Sequence, residues 1–283
     1  MILEVVLIVL RRYFRGIRPL LVILGVFILC ACTGFVESHV FFPDREIIIT
    51  PDKQGLAYED VFFQTEDNIV LNGWFVGGEE KAPYLLFFHG NAGNISHRID
   101  NLILLNRIGL NVFIFDYRGY GKSKGEISEA GFYLDADAAY EYVAKRAAEK
   151  NNEIIIFGRS LGTVAAVHVA ASNRCSAVIL ESAFTNLGDM AACHYPIPFL
   201  SRLLKGRFDT LATISKLHQP LLFIHGDDDA IVPYSMGRTL FDAACAPKEF
   251  YTVTGAGHND VYETAGTGYS ERLNRILHPE RIQ

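Results

Sequence analysis

The pentapeptide Gly158-Arg159-Ser160-Leu161-Gly162 narrows the folds open to this chain more than any other stretch. It follows Ile154-Ile155-Ile156-Phe157, a run of β-branched and aromatic residues, and precedes Thr163-Val164-Ala165-Ala166, a run of small residues. Strand, tight turn and helix in that order form an elbow whose central serine stands clear of the sheet. Glycines flank the serine because a Cβ would collide where the strand and helix backbones cross. Free N–H groups at the start of the helix then lie beside the hydroxyl. A GxSxG pattern is short, and the competing reading is a structural glycine turn with an incidental serine. Its weight therefore rests on what the rest of the chain supplies.

Around the elbow, short β-rich runs alternate with helical ones, the pattern of a mostly parallel sheet of about eight strands with helices on both faces. Strands are expected at residues 61–65, 69–75, 84–89, 112–116, 154–158, 177–181, 221–225 and 250–253. The runs LLFF and IIIF lack polar alternation, as strands buried on both sides do. Glu66-Asp67-Asn68 between the first two runs predicts a hairpin at the sheet edge. Helices are expected at 96–107, 129–150, 161–171, 235–244 and 268–277. Of these, 130–148 is alanine-rich and helical on intrinsic propensity alone. The pattern loosens over 184–216, where Pro196 and Pro198 precede the apolar stretch 199–204, and a small cap is expected there. With 283 residues, one domain of roughly 240 residues after an N-terminal appendage is an ordinary outcome.

An elbow serine needs a base and an acid downstream. His258 lies in Thr254-Gly255-Ala256-Gly257-His258-Asn259, a glycine-rich loop after the last expected strand. A loop histidine is usually just a surface residue, but this position lets a mobile imidazole reach Ser160. The acid lies in His225-Gly226-Asp227-Asp228-Asp229, and physics alone says only that one of the three aspartates orients the imidazole. An oxyanion hole needs two backbone donors: the N–H of Leu161, and one from the turn Phe88-His89-Gly90-Asn91-Ala92-Gly93-Asn94, where the first residue past His-Gly is Asn91. His89 and Asn94 are read as bracing that turn. In Asp116-Tyr117-Arg118-Gly119-Tyr120-Gly121-Lys122-Ser123, Asp116 and Arg118 are able to pair locally, and the loop is read as shaping the rim of the site. This loop lacks the GxGxxG of a dinucleotide site.

Charge is unevenly placed. Residues 1–36 carry Arg11, Arg12, Arg15 and Arg18 against Glu4, a net +3, which leaves −9 for the rest of a chain whose formal charge is −6. An acidic body without a Lys/Arg stripe argues against nucleic acid as a partner. The arginine cluster precedes an apolar run from Leu20 to Val36, so membrane targeting is expected, with the segment after the run translocated. Leu29-Cys30-Ala31-Cys32 resembles a bacterial lipoprotein processing site, which would leave Cys32 as an acylated N-terminus; an uncleaved signal anchor is the alternative. Cys175, Cys193 and Cys245 show no metal spacing and read as free, mostly buried thiols.

HGNAGN, DYRGYGKSKG, GRSLG, HGDDDAIVP and GAGH, in this order over residues 64–277, resemble the α/β-hydrolase family, specifically its membrane-associated Bem-type members often assigned to serine-aminopeptidase-like domains. The resemblance implies an α/β-hydrolase fold and a serine hydrolase. It carries over Ser160 as nucleophile, Asp229 as acid, His258 as base, and Asn91 with Leu161 as oxyanion donors, without cofactor or metal. Arg159 stands where many relatives have histidine or tyrosine, and is expected to alter the site wall. The substrate expected is a small-molecule or lipid-like acyl ester. Acyl-protein or acyl-thioester cleavage and peptide hydrolysis are alternatives, as is a membrane-tethered noncatalytic binding protein. Met190, Tyr195, Ile197, Phe199, Leu203 and Leu204 either line an apolar groove for an acyl chain or are ordinary cap packing.

Overall fold

In the computed structural model the described residues are 37–277 apart from Pro196. The expected membrane-targeting segment, 1–36, lies outside them. Among the described residues no helix is long and apolar enough to cross a membrane. Contacts divide the chain into two units, Met1–Phe42 and Pro43–Gln283. The described part of the first includes a helical turn over residues 37–40.

The second unit is built on an eight-stranded sheet of β1 (Tyr58–Gln64), β2 (Val70–Val76), β3 (Tyr84–Phe88), β4 (Asn111–Asp116), β5 (Ile154–Arg159), β6 (Ala177–Glu181), β7 (Leu221–Gly226) and β8 (Lys248–Val253). Their spatial order is β1-β2-β4-β3-β5-β6-β7-β8. β1 and β2 form the expected edge hairpin; β2 also runs antiparallel to β4, and the remaining pairs are parallel. Asn68 closes the hairpin turn with φ +65°, a conformation that a short polar side chain tolerates.

The helices are α1 (Ile99–Arg107), α2 (Glu129–Lys150), α3 (Gly162–Ser172), α4 (Leu187–His194), α5 (Pro198–Leu204), α6 (Leu211–Ile214), α7 (Tyr234–Ala243), α8 (Val261–Ala265) and α9 (Thr267–Leu277). α2 starts where the Ser128 side chain accepts from the Gly131 N–H and stops at Asn151, which takes φ +54°, so both ends are capped locally. The segment where a cap is expected, 184–216, holds α4, α5 and α6, and α8 lies where the sequence reading places no helix. Residues 95–98 form a tight 3-10 turn ahead of α1 rather than its first turn. The three cysteines are free, but Cys193 and Cys245 are exposed and Cys175 is half-buried, against the burial expected, because the first two lie at or beyond helix ends rather than in the sheet.

Successive strand side chains point to opposite faces. Leu85, Phe87, Ile155, Phe157, Ile179 and Leu222 share one core with Leu102 and Leu105 of α1 and Leu273 of α9. Phe87 stacks on Phe157 at 4.6 Å between ring centroids. Leu86, Phe88, Ile156, Val178 and Phe223 are buried on the other face, and each such side chain contributes about 2 kcal/mol by leaving water. Parallel strands buried on both faces gather their following turns at one edge, where sites form in sheets of this kind. The ends of β3, β5, β7 and β8 supply the residues described next.

Candidate active site

Ser160 sits between β5 and α3 with φ +52°, in the left-handed region that costs a non-glycine residue about 1–2 kcal/mol. Hydrogen bonds hold it there. Its N–H donates to the Glu181 carbonyl at 2.8 Å, and its own carbonyl accepts from the Thr163 N–H at 2.9 Å and hydroxyl at 2.7 Å. The flanking glycines answer to space. A Cβ on Gly158 would lie 2.5 Å from the Gly162 carbonyl oxygen, and one on Gly162 would lie 2.0 Å from the Phe88 carbonyl oxygen.

His258 lies on the loop after β8, and its Nε2 is 3.1 Å from Ser160 Oγ. Its Nδ1 is 2.8 Å from Asp229 Oδ2. The three aspartates after β7 separate by environment. Asp227 and Asp228 are exposed, whereas Asp229 is buried. Asp227 accepts from the Gly255 N–H at 2.6 Å and so ties the two loops together. Asp229 Oδ1 accepts from the N–H groups of Ile231 and Val232 at 2.9 and 2.8 Å, and its Oδ2 also lies 3.4 Å from His225 Nε2. Burial pushes the Asp229 carboxyl up, but the hydrogen bonds of His225, His258 and the backbone outweigh it and hold the group well below the ordinary carboxylate value. An ionised Asp229 accepts from Nδ1–H and leaves Nε2 as the basic nitrogen toward the serine.

The turn after β3 comes up beside the serine: a Cβ on Gly90 would lie 3.5 Å from Ser160 Cβ. His89 braces it, with Nδ1 donating to the Gly90 carbonyl at 2.7 Å. The hydroxyls of Tyr117 and Tyr120 donate to the carbonyls of His89 and Asn91 at 3.0 and 2.7 Å. Asn94 caps the following turn and reaches the carbonyls of Asp44 and Glu46 at 3.1 and 2.6 Å. The Asn91 amide thus belongs to a fixed turn on one side of Ser160, and Leu161 opens α3 directly after it.

Asp116 does not pair with Arg118. Its Oδ1 accepts from the Ile95 N–H at 2.9 Å, whereas Arg118 reaches Asp135 on α2 at 2.8 Å and Asp67 in the edge hairpin at 2.8 Å. Arg118 thereby clamps two elements remote in sequence. Burial pushes the Asp116 carboxyl up to about 8 and the His89 imidazole down to about 3. The two groups are 3.7 Å apart, yet both are neutral near pH 7 and form no ion pair.

Arg159 also departs from expectation. It is buried within the fold rather than set in a site wall, with Nε 2.9 Å from Glu181 Oε1 and a terminal nitrogen donating to the His258 carbonyl at 3.1 Å. Glu181, fully buried, was missed in the sequence. Its signal was a charged residue closing the apolar strand Ala177–Glu181, since a buried charge requires a partner.

The cap residues neither enclose a groove nor pack inward as a set. Leu204 is buried, but Phe199 is 74% exposed, and Tyr195, Ile197 and Leu203 are exposed with it. The His194 ring donates to the Ile231 carbonyl at 2.7 Å, which joins this apolar surface to exposed Ile231, two residues from Asp229. A separate surface cavity of about 360 Å³, lined by Pro220, Lys248 and Arg275 among others, opens at the opposite, N-terminal ends of the strands. It has no part in this site.

A family model for the alpha/beta hydrolase fold matches residues 83–201, a span that includes the turn at Asn91 and the elbow at Ser160. The alpha/beta hydrolase domain-containing protein WAV2 of Arabidopsis thaliana is 32% identical over 88% of this chain and 88% of its own length. Protein bem46 of Schizosaccharomyces pombe is 35% identical over 82% of this chain and 81% of its own. Among solved structures, an esterase of Pyrococcus furiosus superposes with a TM-score of 0.72 at 22% identity, covering 84% of this chain and 97% of that one.

Proposed function

The chain belongs to the α/β-hydrolase family, and from that premise we propose that it hydrolyses carboxylic esters through Ser160, His258 and Asp229. The observation that carries this reading is the unbroken succession from Ser160 Oγ to His258 Nε2, at 3.1 Å, and from His258 Nδ1 to Asp229, at 2.8 Å. Nucleophile, base and orienting acid need that spacing for proton transfer.

His258 Nε2 takes the Oγ proton as Ser160 forms a bond to the acyl carbon. The carbonyl π pair moves onto oxygen, where the N–H groups of Asn91 and Leu161 donate to it. Collapse breaks the bond to the leaving alcohol, which takes its proton from the imidazolium. Water then attacks the acyl-serine under the same base and releases the acid. Asp229 stays ionised throughout; its backbone and imidazole donors all favour the charged form.

The exposed apolar surface of Tyr195, Ile197, Phe199 and Leu203 supports a lipid-like acyl group as substrate. Thioesters of such groups would use the same machinery. On this reading residues 1–36 hold the enzyme at a membrane with its catalytic body on the extracytoplasmic side, supported by the one-sided arginine cluster. Intact-mass analysis of membrane-extracted protein tests the attachment: a lipid on Cys32 or a retained apolar N-terminus is expected, and an unlipidated chain missing residues 1–36 would refute it.

The activity is tested with matched oxygen-ester and thioester series from acetyl to palmitoyl, beside a Ser160→Ala variant and a fluorophosphonate probe. Serine-dependent turnover of one series and labelling of Ser160 are expected. Wild-type turnover in Ser160→Ala would end the proposed mechanism. A folded wild-type chain that Ser160-directed probes do not label would favour a noncatalytic binding protein.

A further inference from the structure

Three buried polar side chains form a network that the triad mechanism does not use. Arg159 and Glu181 face each other across paired strands, β5 and β6, and the Arg159 Nε lies 2.9 Å from Glu181 Oε1. Tyr269 of α9 donates its hydroxyl to Glu181 Oε2 at 2.5 Å. Glu181 and Tyr269 are fully buried and Arg159 nearly so. A buried ion pair of this kind adds little stability over apolar groups of similar volume, because desolvation offsets the attraction. Its place beside Ser160 and His258 therefore points to a role other than holding the core together.

The geometry shows where such a role acts. Through its backbone, Glu181 accepts the Ser160 N–H at 2.8 Å and so fixes the nucleophile. Through its carboxylate it holds the Arg159 guanidinium, whose terminal nitrogen donates to the His258 carbonyl at 3.1 Å and lies 3.4 Å from Asn259 Oδ1. The serine and the histidine loop, far apart in sequence, are both referenced to one residue at the end of β6. A guanidinium suits the task because its fixed fork can serve a carboxylate and a carbonyl at once, which an ammonium cannot do from one position.

We propose that Arg159, held by Glu181 and Tyr269, is a positioning residue that sets the reach of His258 toward Ser160 by gripping the backbone of the histidine loop. This rests on the catalytic reading given above. The imidazole must stay within hydrogen-bond reach of both Ser160 and Asp229. A displacement of about 1 Å in such a group costs about a hundredfold in turnover.

The test separates grip from stability. In the full chain, Arg159→Met, Glu181→Leu and Tyr269→Phe are combined, so that no buried charge or hydroxyl is left without its partner. The expected result is an unfolding midpoint near that of the parent, a kcat about a hundredfold lower and an unchanged KM. Full kcat in that folded variant would overturn the proposal and leave the network a purely structural one. Should the triple variant fold poorly, Arg159→Lys decides. It keeps the charge beside Glu181 but loses the second contact, so kcat is expected to fall with KM unchanged, and an unaltered kcat would refute the grip. The wild type and Ser160→Ala run in parallel. If the wild type turns over nothing and Ser160 resists the phosphonate probe, it is the catalytic reading that has failed, whereas a serine-dependent wild type makes the Arg159 variants a test of positioning alone.

Discussion

Asp116 offers a quantitative test of the buried charge pattern. Its carboxyl is fully buried with one oxygen accepting from Ile95 N–H, and burial raises it from the ordinary 3.8 to about 8. For a carboxyl raised on folding, the stability contribution is fully present below the unfolded value and is lost as pH climbs through the folded one. Each pH unit between those values costs about 1.4 kcal/mol. Raising the pH from about 5 to about 8 should thus remove about 4 kcal/mol through this group. Asp116→Asn keeps the shape and the acceptor for Ile95 but cannot ionise, so the variant should lack that loss. Urea unfolding of parent and variant across this range is the assay. Other titrating groups are common to both proteins, and any fixed cost of the amide is independent of pH. The parent should lose about 4 kcal/mol more than the variant on going to the alkaline end. Parallel curves would show that Asp116 is ionised in the fold, and the assignment of a neutral His89–Asp116 contact would fall with them.

Other perturbations read different parts of the molecule. Arg118→Met leaves Asp135, which is fully buried, without its cation, and should cost about 3–5 kcal/mol in urea unfolding; a loss below about 1 kcal/mol would show the clamp to be dispensable. Gly162→Ala sets a Cβ 2.0 Å from the Phe88 carbonyl oxygen and should yield little folded protein. Gly55→Ala, with φ +75° but open space around it, should cost only about 1–2 kcal/mol, and equal behaviour of the two by thermal melts would refute the close-approach argument. Phe199→Asp, at a 74% exposed position, should change stability by about 0.5 kcal/mol or less while lowering turnover of palmitoyl but not acetyl esters. An equal effect on both esters would remove the cap from substrate recognition.

What could be read in the sequence follows from where the physics is local. The elbow was legible because strand, glycine spacing and helix lie within one short stretch, and the two steric contacts at Gly158 and Gly162 are what that spacing encodes. The doubly buried strands were legible from their unbroken apolar runs. Among Asp227, Asp228 and Asp229 the residues alone could not choose. A turn has no periodicity to distinguish a buried carboxylate from an exposed one, and it was the family resemblance that selected Asp229. Arg118 illustrates a harder limit: its partners, Asp67 and Asp135, lie on a hairpin and a helix remote from it in the chain, so the nearer Asp116 looked the natural partner. In the cap, apolar composition was visible, but the side on which Phe199 and Leu203 would lie was not. A helix of 7 residues, with only Ser201 and Arg202 polar, is too short for periodicity to tell its inner side from its outer one.

The order of strands also governs when this site comes into being. Ser160 follows β5, but Asp229 and His258 follow β7 and β8, the last two strands among the described residues and the far edge of the sheet. Each parallel neighbour must wait for a crossover segment, and pairings so distant in sequence form slowly. During synthesis, which runs from the N-terminus, the serine emerges with its elbow while no histidine loop yet exists to meet it. On the proposed mechanism the nascent chain therefore carries an unactivated hydroxyl, and the serine–histidine pair closes only after residue 258 has been made, about a hundred residues after the elbow.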